Sequence, residues 1–574
     1  MKKPHRTAYK LFPLAVIALA ALALLSAGGG IRASQENSAA TLILTGGRIW
    51  TGDAKLPWAE AVAIRDNRII AAGGAEDVAK LRTDTTKVVE LGGRFAMPGI
   101  NDAHIHFLNG AMRLSQLDLN DADSLEEIQR RLARYAQQHP QDTWLLGYGW
   151  QYSVMPGGPL PTRADLDAVV ADRPVFLSAY DGHTAWVNSK ALEVAGVTAE
   201  SKFKGFGEIV RDAAGQPTGV LKESAQGLVR SKIPAPSRAQ RLDAARQAVQ
   251  MAARLGITSI QNASGDESDL DIYEELLRRG ELTLRVSVAI SIRSGATEKR
   301  IDEVRALARK YSGPMLRVGG IKLLVDGVIE SHTAAMLEPY SDGANTSGEP
   351  ALTQDELSRI VALADRAGLQ VYIHAIGDRG VRMALNAYEH ARRVNGPRDA
   401  RHRIEHIEAV SPADISRFAQ LGVLASMEPI HADPGTVDVW SRAVGPERVK
   451  YAFAWRSLEQ AGARLVFSSD WPAAITVSPI RGLHNAVNRQ TRDGRPPGGW
   501  IPEQRVSLES TLAAYTQAGA YSSFEEKEKG TIAAGKIADV IVLSDDPFRI
   551  PAARLHTLQV ETTVFDGRVI YGGK

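Results

Sequence analysis

The sequence contains no cysteine. That excludes disulfides, thiolate metal sites, iron–sulfur clusters and a cysteine nucleophile. Any metal must be held by histidine, carboxylate or a modified side chain. Aromatic residues are scarce, at 6%, and net charge is nearly absent, at +2 from 68 basic and 66 acidic residues. Five of those bases (Lys2, Lys3, Arg6, Lys10, Arg32) fall in the first 33 residues, which carry no acid, so the remainder is slightly acidic. No basic field is left to suggest a nucleic-acid partner. With 44% hydrophobic and 23% charged residues the chain is neither disordered, collagenous nor a polytopic membrane protein. Its 574 residues allow about three domains, or one large barrel with additions.

Residues 1–33 order themselves as a basic stretch, an apolar run from Leu11 to Gly28 and a set of small residues. That is the logic of a secretory signal peptide, with an uncleaved N-terminal anchor as the rival, because the run is close to spanning length. Both place the folded part outside the cytoplasm, secreted or periplasmic.

Residues 41–95 read as short strands punctuated by Gly, Asp and Asn, and residues 521–574 read the same way. Two strand-rich termini predict one small β-sandwich built from both ends. Between them, apolar strand runs (RFAMPGI, ITSIQNA, LRVSVAI, GIKLLVDG, LQVYIHAIGD, RHRIEHI, VLASMEP, ARLVFSSD) alternate with amphipathic helical stretches. Eight such strands with helical crossovers predict an α/β fold, a (β/α)8 TIM barrel, with strand one at 96–106 and the rest at 237–520. Residues 107–236 fit poorly as one barrel turn. They are expected to be an inserted α/β subdomain covering the active site.

In MPGINDAHIHF, His104 and His106 lie two apart on a strand and share a face. Alone, the pair is half a metal site or two satisfied barrel histidines. Three further apolar runs end in His374, His406 and Asp470. Strand ends face the catalytic mouth of a TIM barrel, and burying so many unpaired imidazoles there is costly without a metal. Lys322 is the only charge inside its apolar strand. It is either a salt-bridged lysine or a neutral amine able to form a carbamate with CO2.

Taken in order, the HxH pair, the lysine, the two later histidines and the aspartate resemble the amidohydrolase superfamily. The segments DGHTAWVNSKAL, PTGVLKE, IKLLVDG, IHAIGDRG, RIEH, SSDWP and GKIADVIVLSDDP are similar to its YtcJ-like, amidohydrolase-3 branch. The resemblance implies a metal-dependent hydrolase and strengthens the carbamate reading of Lys322. The loop VIESHTAAM, with Glu330 and His332, departs from the usual pattern of relatives, so His332 is a candidate specificity residue at the substrate. Glu223, in TGVLKE, is open as a metal or substrate ligand or as a salt-bridge partner.

His183, in AYDGHTAWVN, is expected to point into the site and bind substrate or the oxyanion, unless it is a turn histidine. His431 is a weaker substrate candidate. Trp144, Tyr148, Trp150, Tyr152, Tyr180 and Trp186 are either an aromatic wall for substrate or the insertion's own core. The expected chemistry uses two divalent ions, Zn2+ foremost. His104, His106 and Asp470 hold one, His374 and His406 the other, and carboxylated Lys322 bridges them. Metal binding lowers the pKa of water from about 15.7 to about 7. Asp470 moves the proton, and a non-peptide C–N bond of an amide, cyclic amide or N-acyl compound is cleaved. Ester or lactone cleavage at the same site, a single-metal enzyme and a non-catalytic exported metal-binding protein are the alternatives. The expected partner is a small molecule; a homo-oligomer is left open.

Overall fold

The computed structural model describes residues 39–572 except Asp121 and 156–159. The leader assigned to residues 1–33 lies outside these. Its centre is an eight-stranded, all-parallel sheet. The strands are β1 (Ile100–Ile105), β2 (Ile257–Gly265), β3 (Arg285–Ser291) and β4 (Leu316–Leu324). They continue as β5 (Gln370–Ala375), β6 (Arg403–His406), β7 (Leu424–Met427) and β8 (Leu465–Phe467). Neighbours in sequence are neighbours in the sheet. The strands read as continuous apolar runs because both faces are covered.

The barrel closes through the segment after β8. Asp470 N donates to His104 O at 2.8 Å, and His106 N donates to Trp471 O at 2.8 Å. Asp102 accepts from Ser469 N at 3.0 Å and Ser469 Oγ at 2.6 Å. The seam therefore fixes Asp470 against His104 by main-chain bonds. Crossover helices start at side-chain caps. Ser237 and Gln240 form a capping box on Arg238–Arg254, Asp266 caps Glu267–Arg278, and Thr353 caps Gln354–Arg366.

Two further sheets lie outside the barrel, one from N-terminal strands alone and one in which the two termini meet. One has four strands, from Leu42–Thr45, Ala61–Arg65, Arg68–Gly73 and Lys87–Glu90. The other has six and joins Val540–Leu543, Val560–Phe565 and Arg568–Gly572 to Arg48–Trp50 and Phe95–Pro98. The run RFAMPGI is thus not one barrel strand. Phe95–Pro98 pairs in the sandwich with Val540–Leu543, and the barrel begins at Ile100. Gly99 makes the passage, since a Cβ there would stand 2.3 Å from Thr258 Oγ1.

Between β1 and β2 the insertion folds into its own six-stranded mixed sheet, from Leu117–Asp118 to Pro217–Lys222. Helix Leu125–Gln138 packs on it. Trp150, Tyr152, Tyr180 and Trp186 are buried in the insertion's own core, and Trp144 in an adjoining cluster. For these five the wall considered for substrate is therefore core packing, whereas Tyr148 belongs to neither cluster. The indole N–H groups of Trp150 and Trp186 are spent on the carbonyls of Leu177 and Thr162.

Candidate metal centre

The C-terminal ends of the barrel strands open into a cavity of about 410 Å³. His106, Lys322, His374, His406 and Asp470 line its floor; Asp181, Gly182 and His183 reach in from the insertion. His104 lies beneath, fully buried. Its ring centroid is 5.5 Å from that of His106 and 4.9 Å from that of His406; His374 and His406 are 4.4 Å apart. The residues singled out at the strand ends thus meet in one place.

Asp470 Oδ1 is the focus. His104 Nε2 lies 3.3 Å from it and His106 Nε2 3.2 Å from it. Yet this buried oxygen has no hydrogen-bond partner of acceptable geometry. Donor atoms that converge without bonding one another are arranged as ligands around a cation. Imidazole and carboxylate in this number suit Zn2+ or a similar divalent ion, so the residues present fit the group.

Outer partners fix which nitrogen each ring offers. His104 Nδ1 is 2.5 Å from Glu405 Oε2, and His406 Nδ1 is 2.9 Å from Glu428 Oε2. His374 Nε2 is 3.3 Å from Gly327 O. With those protons so committed, His406 Nε2 and His374 Nδ1 keep lone pairs for an ion, and His104 Nε2 turns toward Asp470 and the Lys322 amine. Arg403 holds Glu405 from Nε at 2.5 Å, and Ser468 Oγ donates to Glu428 at 2.9 Å.

Burial drives His374 and His406 well below the ordinary imidazole value, so both are neutral. Burial also lowers the Lys322 amine, whose Nζ is 3.2 Å from His104 Nε2. Burial would raise Asp470, but the His104 and His106 imidazoles hold it well below the carboxylate range. Asp470 and His406 both sit at positive φ, 52° and 76°, in the left-handed region that non-glycine residues rarely occupy. Such backbone strain concentrates at functional sites.

His183 faces the cavity with its ring 5.4 Å from that of His374. Its Nδ1 is 2.8 Å from Glu223 Oε2. Burial opposes the charged form, but the Glu223 carboxylate lifts His183 to about 9. Glu223 was open as a direct ligand. Its oxygens are instead occupied by His183 and by Thr333 Oγ1, at 2.5 Å, so it stands behind His183 rather than at the substrate.

His332 does not reach the cavity either. Its Nε2 lies 2.7 Å from Asp342 Oδ2 and its ring packs edge-on against Tyr340. Glu330 takes the Tyr180 hydroxyl at 2.6 Å, tying that loop to the insertion. His431 stacks on His406 but spends its nitrogens on Glu408 and the Ala473 carbonyl. Glu405, Arg403 and Glu428 were missed. Arg403 and Glu405 alternate on one face of their strand, but the run around them is too polar to give the lone-charge signal that marked Lys322.

The sequence model of the Amidohydrolase family matches residues 87–571. YtcJ of Bacillus subtilis, itself assigned as an amidohydrolase, is 31% identical over 92% of this chain and 98% of its own. The N-substituted formamide deformylase of Arthrobacter pascens is 27% identical, again over 92% and 98%. A solved metal-dependent hydrolase of Pyrococcus horikoshii, of uncharacterised activity, superposes with a TM-score of 0.70 at 28% identity, covering 89% of this chain and 99% of that one.

Proposed function

The chain belongs to the amidohydrolase family of metal-dependent hydrolases, and on that premise we propose that it cleaves a non-peptide carbon–nitrogen bond in a small amide, cyclic amide or N-acyl compound. The observation that carries this reading is the convergence of His104 and His106 on the orphaned Asp470 oxygen inside an open cavity. Similarity to a formamide deformylase supports C–N over C–O cleavage.

His104, His106 and Asp470 would hold one divalent ion and His374 and His406 a second, with Lys322 between. When bound, such ions polarise the carbonyl and acidify the attacking water at neutral pH. Lys322 would join them as a carbamate, formed when its neutral amine adds to CO2 and releases one proton. Burial lowers the amine's pKa, which favours the neutral form this needs.

Asp470 takes the proton of the attacking water and returns it to the leaving nitrogen. Water adds to the carbonyl carbon, the C–N bond breaks, and a carboxylic acid and an amine result. His183, held by Glu223 and Thr333, donates a hydrogen bond to the carbonyl oxygen as charge develops there. The basic and apolar leader supports export from the cytoplasm; the mass of the mature chain tests whether it is removed.

The test of the function is the Zn2+-loaded chain against matched amide and ester pairs. Hydrolysis of the amides, lost on chelation and restored by metal, is the expected result. Turnover of esters alone, or none by the fully loaded protein, rejects the reading.

A further inference from the structure

Helix Phe107–Arg113 begins directly after His106 and ends at Arg113, about 10 Å further along its axis. The Arg113 side chain returns to line the same cavity as His106 and Asp470. One of its N–H groups donates to Pro472 O at 3.1 Å, two residues beyond Asp470. Its guanidinium carbon lies 5.4 Å from the centre of the Tyr148 ring. Among the described residues it forms no salt bridge, and it is half-buried.

The acid best placed to neutralise it is committed elsewhere. Asp181 also lines the cavity, but its oxygens accept the Tyr152 hydroxyl and the His183 N–H, both at 2.9 Å. Arg230 repels Arg113, while Asp181 and Asp470 attract it without forming an ion pair with it. A further cation, Arg293, stands exposed on the cavity rim after β3. Gly182, at φ +77°, lies beside Arg113: a Cβ there would stand 3.8 Å from an Arg113 terminal nitrogen, an ordinary contact.

Arg113 is half-buried at the cavity wall with no ion pair of its own, so a carboxylate entering the cavity would gain charge-assisted hydrogen bonds from it. We propose that Arg113 is the anchor for a carboxylate on the substrate, so that the site takes N-acyl or amide compounds bearing a carboxylate near the scissile bond. The planar guanidinium fork matches a carboxylate in two parallel hydrogen bonds. Burial and the nearby Arg230 lower Arg113 only to about 10, so it stays cationic at neutral pH. The inference rests on the hydrolase reading above and gives it a substrate class.

The experiment compares N-acetyl and N-formyl amino acids with the same acylamines lacking the carboxylate. It uses the Zn2+-loaded native chain and its Arg113→Met and Arg113→Lys variants, with metal content and melting measured for each. The native chain prefers the acylamino acids in kcat/KM. In R113M that preference falls about 10- to 100-fold, mainly through KM, and R113K, which keeps the charge without the fork, falls between. Equal or better hydrolysis of the neutral amides, or an unchanged preference in R113M, overturns the Arg113 assignment and leaves the hydrolase reading standing. If neither class is hydrolysed, the hydrolase reading fails, and calorimetric binding of the same probes decides on Arg113. Tighter binding of the carboxylates, lost in R113M, upholds it; no difference overturns it.

Discussion

His104 and Glu405 lie 2.5 Å apart, Nδ1 to Oε2, fully buried, with Arg403 closing on the far side of the carboxylate. This pair turns the His104 Nε2 lone pair toward Asp470. Replacing Glu405 by Gln removes the charge that orients the ring. Metal affinity should fall about 10- to 100-fold, as read by competition with a chelating dye. The melting temperature should fall as well, because Arg403 is left a buried charge. Unchanged metal affinity would mean the pair is only structural.

Asp470→Asn keeps the shape of the side chain but loses a proton acceptor and a charged ligand. Turnover should fall by about 10²- to 10⁴-fold or more, with the melting temperature little changed. Metal content by mass spectrometry separates a lost ion from a lost proton transfer. Near-normal kcat would remove Asp470 from the mechanism.

His183 stands on the insertion, so its role is separable from the barrel. His183→Asn should lower kcat about 10²- to 10³-fold while metal content holds. Glu223→Gln, which only loosens His183, should cost less. The reverse order would show that Glu223 itself meets the substrate.

Gly110 lies under Trp471, the residue after Asp470. A Cβ at 110 would stand 2.2 Å from that indole. Gly110→Ala should cost about 1–3 kcal/mol of stability by overpacking and should depress activity by shifting the Asp470 segment. Denaturant titration and kcat check the two effects.

His484 is buried and accepts from Asn488 Nδ2 on Nδ1, at 3.1 Å, while Nε2 faces Thr491 O at 3.4 Å. Burial, then Arg481, holds it down to about 4 from the ordinary 6.5. The folded state therefore binds fewer protons than the unfolded one between those values. Stability is full above pH 6.5 and is lost as pH falls toward 4. His484→Gln should flatten that decline in denaturation curves at pH 7 and pH 5. An unaltered slope would place the acid sensitivity elsewhere.

The barrel was legible because period-two and period-3.6 patterns are local, and so were His104, His106, Lys322, His374, His406 and Asp470. Each interrupts or ends an apolar run, and barrel geometry gathers strand ends. What failed depended on partners. Phe95–Pro98 and Ile100–Ile105 form one apolar run, and only their neighbours assign them to different sheets. His332 has a plausible residue type in a plausible loop, but its own φ of 60° and Asp342 turn it away. Arg403 and Glu405 passed unnoticed because a charge pair in RHRIEH reads equally as a solvated strand face. The insertion's aromatics carry no mark in sequence that separates a core from a wall.

The central claim is that His104, His106, Lys322, His374, His406 and Asp470 surround divalent cations. Anomalous scattering at the zinc edge from crystals of the metal-loaded chain tests it directly. The account predicts peaks at bonding distance from His104, His106 and Asp470 and from His374 and His406. A loaded, folded protein with no peak there, or with its metal bound elsewhere, would contradict it.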